Sequence, residues 1–148
     1  MTIRDQIQEA MKQALKSRDQ ARLETLRMAK GALLLKEKEK AREAGLSDDE
    51  TVSVLRAEVR KRRQSRDVYA ELGKTGEVEA LEQEIRVIEL FLPRLLALEE
   101  LEERVRAYLA EHPDMNHPGK LTGALKKELG ERADGKELNE VCRRVLGV

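Results

Sequence analysis

Apolar residues recur every three or four positions along nearly the whole chain, and this spacing constrains the fold more than any other feature. Ile3, Ile7 and Met11 follow one another at intervals of four near the start. Such a repeat places apolar side chains along one side of an α-helix, whereas a half-buried strand requires strict alternation. Charged residues make up 39% of the chain and aromatic residues only 2%, and strands favour aromatic and β-branched side chains. The chain is therefore predicted to be all-α.

Start and stop signals divide residues 1–92 into four predicted helices. Thr2 caps the first helix with Asp5 three residues later, and Ser47 opens the third with a capping box completed by Glu50. The other predicted limits are Gln20 to about Ala44 for the second helix, Gly73 for the end of the third and Pro93 for the end of the fourth. The apolar stripes of the first two helices are Ile3, Ile7, Met11 and Leu15, then Leu23, Leu26, Leu33 and Leu34. Long helices joined by short turns pack antiparallel, so this region is predicted to be a helical bundle.

Beyond a joint at residues 93–96, residues 97–148 are predicted to form a smaller, tail-like subdomain. Its three short helices start at about Leu98, at Pro118 in the favoured first-turn position, and after a cap at Asp134. The inward positions are Leu101, Val105 and Leu109, then Leu121, Leu125 and Leu129, then Leu138, Val141, Cys142 and Val145. A unit of about 50 residues has a marginal core, so we expect it to dock or to find a partner.

Lysine and arginine together number 29, as do aspartate and glutamate, so no net charge draws the chain to nucleic acid or to a membrane. The charges are nevertheless unevenly spread. The third predicted helix carries Arg56, Arg60, Lys61, Arg62, Arg63 and Arg66, and the second carries Arg27, Lys30, Lys36, Lys38, Lys40 and Arg42. At about 100° per residue, Arg56, Arg60 and Arg63 fall within an arc of about 60°. Three interpretations stay open: neutralisation by acids of an antiparallel helix, a stripe that follows a phosphate backbone, or a protein-docking face.

Lys30 is unusual because it lies within the angular arc of Leu23, Leu26 and Leu34. We expect its aliphatic stem to lie along the helix seam, or its amine to meet a glutamate of the fourth helix.

The sequence offers no set of residues suited to catalysis or to metal binding. His112 and His117 are the only histidines and lack a third ligand. Cys142, the only cysteine, falls on the apolar face of the last helix, where a thiol is buried and inert. No glycine-rich phosphate loop follows a strand. The chain is therefore predicted to be non-catalytic, with no cofactor and no metal.

The sequence also predicts a cytoplasmic protein. Arg4 and Asp5 stand where a signal peptide needs an apolar run. The most apolar stretch, residues 90–98, contains Pro93 and Arg94 and is too short to cross a bilayer.

Several short motifs, taken together and in this order, resemble those of YqeY proteins. They are Leu26-Arg27-Met28-Ala29-Lys30, Glu58-Val59-Arg60-Lys61-Arg62-Arg63-Gln64-Ser65, Glu84-Ile85, Phe91-Leu92-Pro93 and Ala133-Asp134-Gly135-Lys136. The resemblance covers essentially the full length and implies an all-helical GatB/YqeY fold of two subdomains. That fold is similar to the helical and tail region of the B subunit of glutamine-dependent aminoacyl-tRNA amidotransferase, which holds tRNA and takes no part in amide transfer.

The resemblance implies a non-catalytic module that binds tRNA or another RNA through two basic sets. One is Arg56, Arg60 and Arg63 along the third helix, and the other is Lys120, Arg132 and Lys136 near the starts of the last two helices, where helix dipoles favour anions. The alternative is a protein adaptor of the tRNA-amidation machinery without direct RNA contact. Its partner would be an aminoacyl-tRNA synthetase or an amidotransferase subunit, received by the acidic face at Glu99–Glu103 or by an apolar groove between the subdomains.

The chain departs from the family pattern at three positions. Phe91 replaces a usual Tyr, Ala97 replaces a Ser cap, and Glu131 stands where Gly is common. Without the Ser cap, the helix that follows Ala97 should be less stable by about 1 kcal/mol. An acid at Glu131 is expected to alter the conformation of the loop before the last helix.

Overall fold

The computed structural model describes residues 1–40 and 45–148, and within these ranges every regular element is helical. The all-α prediction is confirmed. The helices are α1 Ile3–Ser17, α2 Gln20–Lys40, α3 Asp48–Glu71, α4 Thr75–Glu89, α5 Leu98–Glu111, α6 Pro118–Leu129 and α7 Gly135–Leu146, with a 3₁₀ turn at Gly130–Arg132. Arg42 and the predicted end of the second helix at Ala44 lie outside the described residues.

The helix starts follow the capping signals in the sequence. Thr2 Oγ1 accepts the backbone N–H of Asp5 at 3.1 Å, and Ser47 Oγ accepts that of Glu50 at 3.1 Å. In both cases the acidic side chain accepts a hydrogen bond from the backbone N–H of the cap residue, which completes the box. Asp134 caps α7 by accepting the N–H of Glu137 at 3.2 Å. The predicted caps at Thr2, Ser47 and Asp134 are therefore confirmed.

The chain forms two compact units, Met1–Leu92 and Pro93–Val148. In the first unit α3 packs against α4, and α2 packs against α1, α3 and α4. The fully buried members of its core include Ile7, Leu26, Leu33, Leu55 and Ile88.

Two leucines assigned to the apolar stripes are exposed instead. Leu15 is 61% exposed, and Ala14 takes the buried position. A four-residue repeat advances by about 40° per step, so by Leu15 the stripe has rotated away from the core, whereas Ala14 lies seven residues after Ile7 and returns to its side. Leu34 is 39% exposed because it is rotated about 100° from the buried Leu33.

The second unit packs α7 against α5 and α6. Its buried residues are Leu101, Val105, Leu121, Leu125, Leu129, Ala133, Leu138, Val141 and Cys142. The segment before α5 is tied to the 3₁₀ turn, since the N–H of Leu96 donates to the carbonyl of Arg132 at 2.7 Å. Gly130 opens this turn with a φ of 57°, which costs glycine little.

Candidate nucleic-acid interface

The three arginines of the first candidate set lie on α3 and differ in exposure and in pairing. Arg56 is half-buried, whereas Arg60 and Arg63 are exposed. Arg63 Nη2 lies 2.7 Å from Glu89 Oε1 of α4, while Arg60 makes no ion pair within the described ranges. Of the three arginines that the sequence groups together, Arg56 is thus partly covered, Arg60 is exposed without an ion pair in the described residues, and Arg63 is paired with Glu89.

Arg62 is a core residue of the first unit, and sequence reasoning counted it with the surface cations. It is 6% exposed. Its Nη1 donates to the carbonyl of Glu58 at 3.1 Å and to Glu58 Oε1 at 3.3 Å, and its Nε lies 3.7 Å from Glu84 Oε1 of α4. The position of Arg62 along α3 could have indicated its burial, because it follows the buried Leu55 by seven residues and the buried Val59 by three and so lies on the same side of the helix.

Acids neutralise much of the remaining charge on α3. Lys61 Nζ lies 3.1 Å from Glu58 Oε2, and Arg66 Nη2 lies 3.3 Å from Asp67 Oδ1. Together with the Arg62–Glu84 and Arg63–Glu89 contacts between helices, these pairs show internal neutralisation for part of the basic cluster.

Lys30 does not contact a glutamate of α4. Its Nζ donates to Gln8 Oε1 of α1 at 2.6 Å. The predicted contact with a glutamate of the fourth helix is wrong, because the half-buried Lys30 side chain extends toward α1.

The second candidate set lies at helix starts in the second unit. Lys120 is in the first turn of α6 and Lys136 in the first turn of α7, and both are exposed. Arg132 is exposed in the preceding 3₁₀ turn, where its Nε donates to the carbonyl of Leu129 at 3.3 Å.

A surface pocket of about 450 Å³ lies at the loop between α5 and α6. It is lined by Glu111, His112, Pro113, Asp114, Met115, Asn116, His117 and Lys120. His117 is the N-cap of α6, and its Nδ1 accepts the backbone N–H of Lys120 at 3.3 Å. The His112 ring stacks on Tyr108 with centroids 4.2 Å apart. Neither histidine role was predicted, since histidine is not a preferred cap residue.

Within residues 1–40 and 45–148, no group of three His, Cys, Asp or Glu side chains is arranged to hold a metal ion. Cys142 is buried, and its burial raises the pKa of the thiol, against a smaller opposing effect of the hydrogen bond with Thr122. The thiol is therefore protonated at neutral pH, as expected of an inert cysteine.

The acidic face of α5 is partly engaged within the second unit. Glu100 Oε1 accepts from Arg94 Nη2 at 3.0 Å. Glu102 contacts Arg106 at 2.9 Å and Arg144 of α7 at 3.2 Å, and the hydrogen bond from Arg106 is the main reason that the pKa of Glu102 is lowered. Glu99 and Glu103 are exposed.

None of the helices described is long and apolar enough to cross a membrane. No curated protein matches this sequence. The family model for YqeY-like proteins matches residues 4–146, which is nearly the whole chain, and the all-helical fold and the motifs on α2, α3 and α7 agree with that match. The chain therefore belongs to the YqeY-like protein family.

Proposed function

We propose that this chain is a non-catalytic RNA-binding module, with tRNA as the class of RNA that the family resemblance implies. The observation that carries the proposal is the state of the exposed cations on α3. Arg60 is exposed and makes no ion pair within the described ranges, and Arg63, less than one turn away, is held by a single pair with Glu89 in which both side chains are about half exposed.

Such an arrangement suits a phosphate backbone. An exposed pair contributes only about 0–1 kcal/mol, so Arg63 can exchange Glu89 for a phosphate at little cost. Arg60 makes no ion pair in the described part of the chain that a phosphate would have to displace, and clustered cations release counterions when they meet a polyanion. The contact set is narrower than the sequence predicted, because Arg56 is half-buried.

The second set supports the same proposal in a weaker way. Lys120 and Lys136 lie in first turns, where the backbone N–H groups and the helix dipole favour anions. Arg132 is exposed in the turn that precedes α7. These side chains would add phosphate contacts without reading base identity.

A titration of tRNA at several salt concentrations tests the proposal directly. The double variant Arg60→Ala/Arg63→Ala should bind about tenfold more weakly at low salt and should lower the salt slope by about one for each side chain removed. Arg86→Ala is a matched control, since Arg86 is an exposed cation of α4 outside the set. An unrelated RNA hairpin measures the preference for tRNA, and absence of binding at the lowest salt would contradict the proposal.

Releasing Arg63 from its acidic neighbour gives a second test of opposite sign. Glu89→Gln removes the competing carboxylate, so RNA affinity should rise by about twofold to fivefold at low salt, the range expected for one weak surface pair. Glu79→Gln changes the net charge equally on the same helix and involves an exposed acid. Equal gains in both variants would show a general charge effect and would contradict a specific role of Arg63.

A further inference from the structure

The outward side of α2 carries large apolar residues that stay exposed in the described part of the chain, although Met28 Sδ lies 3.8 Å from Arg62 Nη2 of α3. Its inward side is formed by Leu23, Leu26, Ala29 and Leu33, all buried. On the opposite side Met28 is 55% exposed and Leu35 is 61% exposed, with Leu34 at the border. We call Met28, Gly31, Leu34 and Leu35 the α2 outer face.

Gly31 lies at the centre of the α2 outer face, where a glycine weakens the helix relative to alanine. A Cβ added at Gly31 would meet no atom within 4 Å. No close contact in the described part of the chain therefore requires glycine here, whereas a neighbouring helix could approach closely at this point.

Charges on the same side are arranged symmetrically about Gly31. Glu24 precedes Gly31 by seven residues and Lys38 follows it by seven, and a seven-residue step falls only about 20° short of two full turns. The acid, the glycine and the base therefore lie close to one line along the helix. Glu24 and Lys38 are exposed and make no ion pair within the described ranges.

This line is complementary to itself when reversed. If two α2 helices cross antiparallel at Gly31, Glu24 of each chain faces Lys38 of the other, and Met28 faces Leu35, which lies on the same side of this line. A twofold axis brings the same surface patch together from both chains, so every favourable contact is made twice. Like charges meet in a parallel arrangement, which disfavours it.

We propose that the α2 outer face binds a second copy of this chain, with the two helices antiparallel and crossing at Gly31. The crossing buries a small area, so the dimer is reversible and forms in the micromolar range or above. The proposal does not depend on RNA binding, since no residue of the RNA-binding sets takes part.

Sedimentation velocity of the full chain without RNA, over a wide concentration range, measures the dimer. Gly31→Gln should raise its dissociation constant by at least about tenfold, since shape complementarity at the centre of an interface dominates affinity. Gln is a better helix former than Gly, so thermal melting of the dilute variant should show an intact or more stable monomer. Gly123→Gln is the matched control, because Gly123 is also an exposed helical glycine with open space around it.

Charge reversal identifies the partner as a second copy. Glu24→Lys alone and Lys38→Glu alone should each weaken the homodimer by about threefold to tenfold at low salt, because two ion pairs become repulsive contacts. A mixture of the two single variants should recover association, as should the double variant. A chain that stays monomeric at every concentration overturns the proposal, and so does a dimer that is insensitive to Gly31→Gln or is not recovered by mixing.

Discussion

The two units build their interiors from different chemistry. In the first unit the buried set includes Thr25, Thr51 and Arg62 beside the apolar residues. In the second unit every buried residue is apolar or is Cys142. Both units are helical, but only the first encloses a charge, which it must satisfy with Glu58 and Glu84.

Polar contacts between elements differ in the same way. In the first unit ion pairs join separate helices, as in Arg4–Glu37 and Arg63–Glu89. In the second unit the pair Arg144–Glu102 joins α7 to α5. Its loops are held by the exposed Arg94–Glu100 pair and by contacts with the backbone, as where Lys126 Nζ donates to the carbonyl of Ala133. The interior of the second unit therefore depends on apolar packing, whereas the interior of the first also depends on the pairing of charge.

Truncating a core leucine of the second unit should give the largest effect. Leu125 is 1% exposed, and Leu125→Ala should lower the free energy of unfolding of that unit by about 3 kcal/mol, because it removes apolar contacts and leaves a cavity. The buried thiol of Cys142, the only cysteine, reports opening of this unit. Its labelling by a thiol reagent should accelerate by about a hundredfold, since each 1.4 kcal/mol is a factor of ten.

Leu95→Ala is the control for this prediction, because Leu95 is also in the second unit but is exposed. Its effect should stay within about 0.5 kcal/mol. Similar labelling rates in the two variants would contradict a core held together by apolar packing.

In the first unit the decisive substitution removes the buried charge. Arg62→Met keeps an apolar stem but removes the cation of Glu84 and leaves Glu58 only its exposed pair with Lys61, so it should cost about 2 kcal/mol, less than a fully buried pair because Glu84 is partly exposed. Lys61→Met removes an exposed cation from the same Glu58 and should cost under about 0.5 kcal/mol. Chemical denaturation, with hydrogen exchange of the α3 and α4 amides, compares the two variants. If both variants lost the same free energy of unfolding, burial would not make the ion pairs of Arg62 more stabilising than the exposed pair of Lys61.

This contrast explains how far the sequence predicts the molecule. Apolar spacing identified every buried position of α5, α6 and α7, since their cores contain no competing polar group. Side-chain caps were predicted equally well, because Thr2 and Ser47 act on backbone groups only three residues away.

The candidate site was harder to predict, because it depends on which helices become neighbours. Whether Arg63 is available is decided by Glu89, 26 residues later in the chain. The same holds for Arg62, whose partner Glu84 is on α4, and for Lys30, which reaches Gln8 on α1. Charge spacing along a single helix carries no information about such partners.

Completing the half-formed cap of α5 should have a smaller effect of opposite sign. Glu100 Oε1 accepts the N–H of Ala97 at 3.2 Å, but alanine offers no oxygen in return. Ala97→Ser supplies it and should stabilise the second unit by about 1 kcal/mol. Ala107→Ser places the same residue at an exposed position inside α5 and should destabilise by about 0.5 kcal/mol. The labelling rate of Cys142 measures both, and a fall with Ala107→Ser as large as with Ala97→Ser would rule out capping as the cause.

The smallest expected effect is a pH dependence of the complete cap of α1 in the first unit. The backbone N–H of Thr2, and then its hydroxyl, lower the pKa of Asp5 from its usual value of 3.8. Because the folded pKa lies below the unfolded one, the contribution of Asp5 to stability is fully present above pH 3.8 and is lost as the pH falls through the folded pKa. The stability difference between the wild-type chain and Asp5→Asn should therefore shrink on acidification.

Asp49→Asn is the control, since Asp49 is also in the first turn of a helix but lies outside the capping box. Thermal melts across the acidic range measure both differences. A gap for Asp5→Asn that stays constant with pH would show that the carboxylate charge plays no part in the cap.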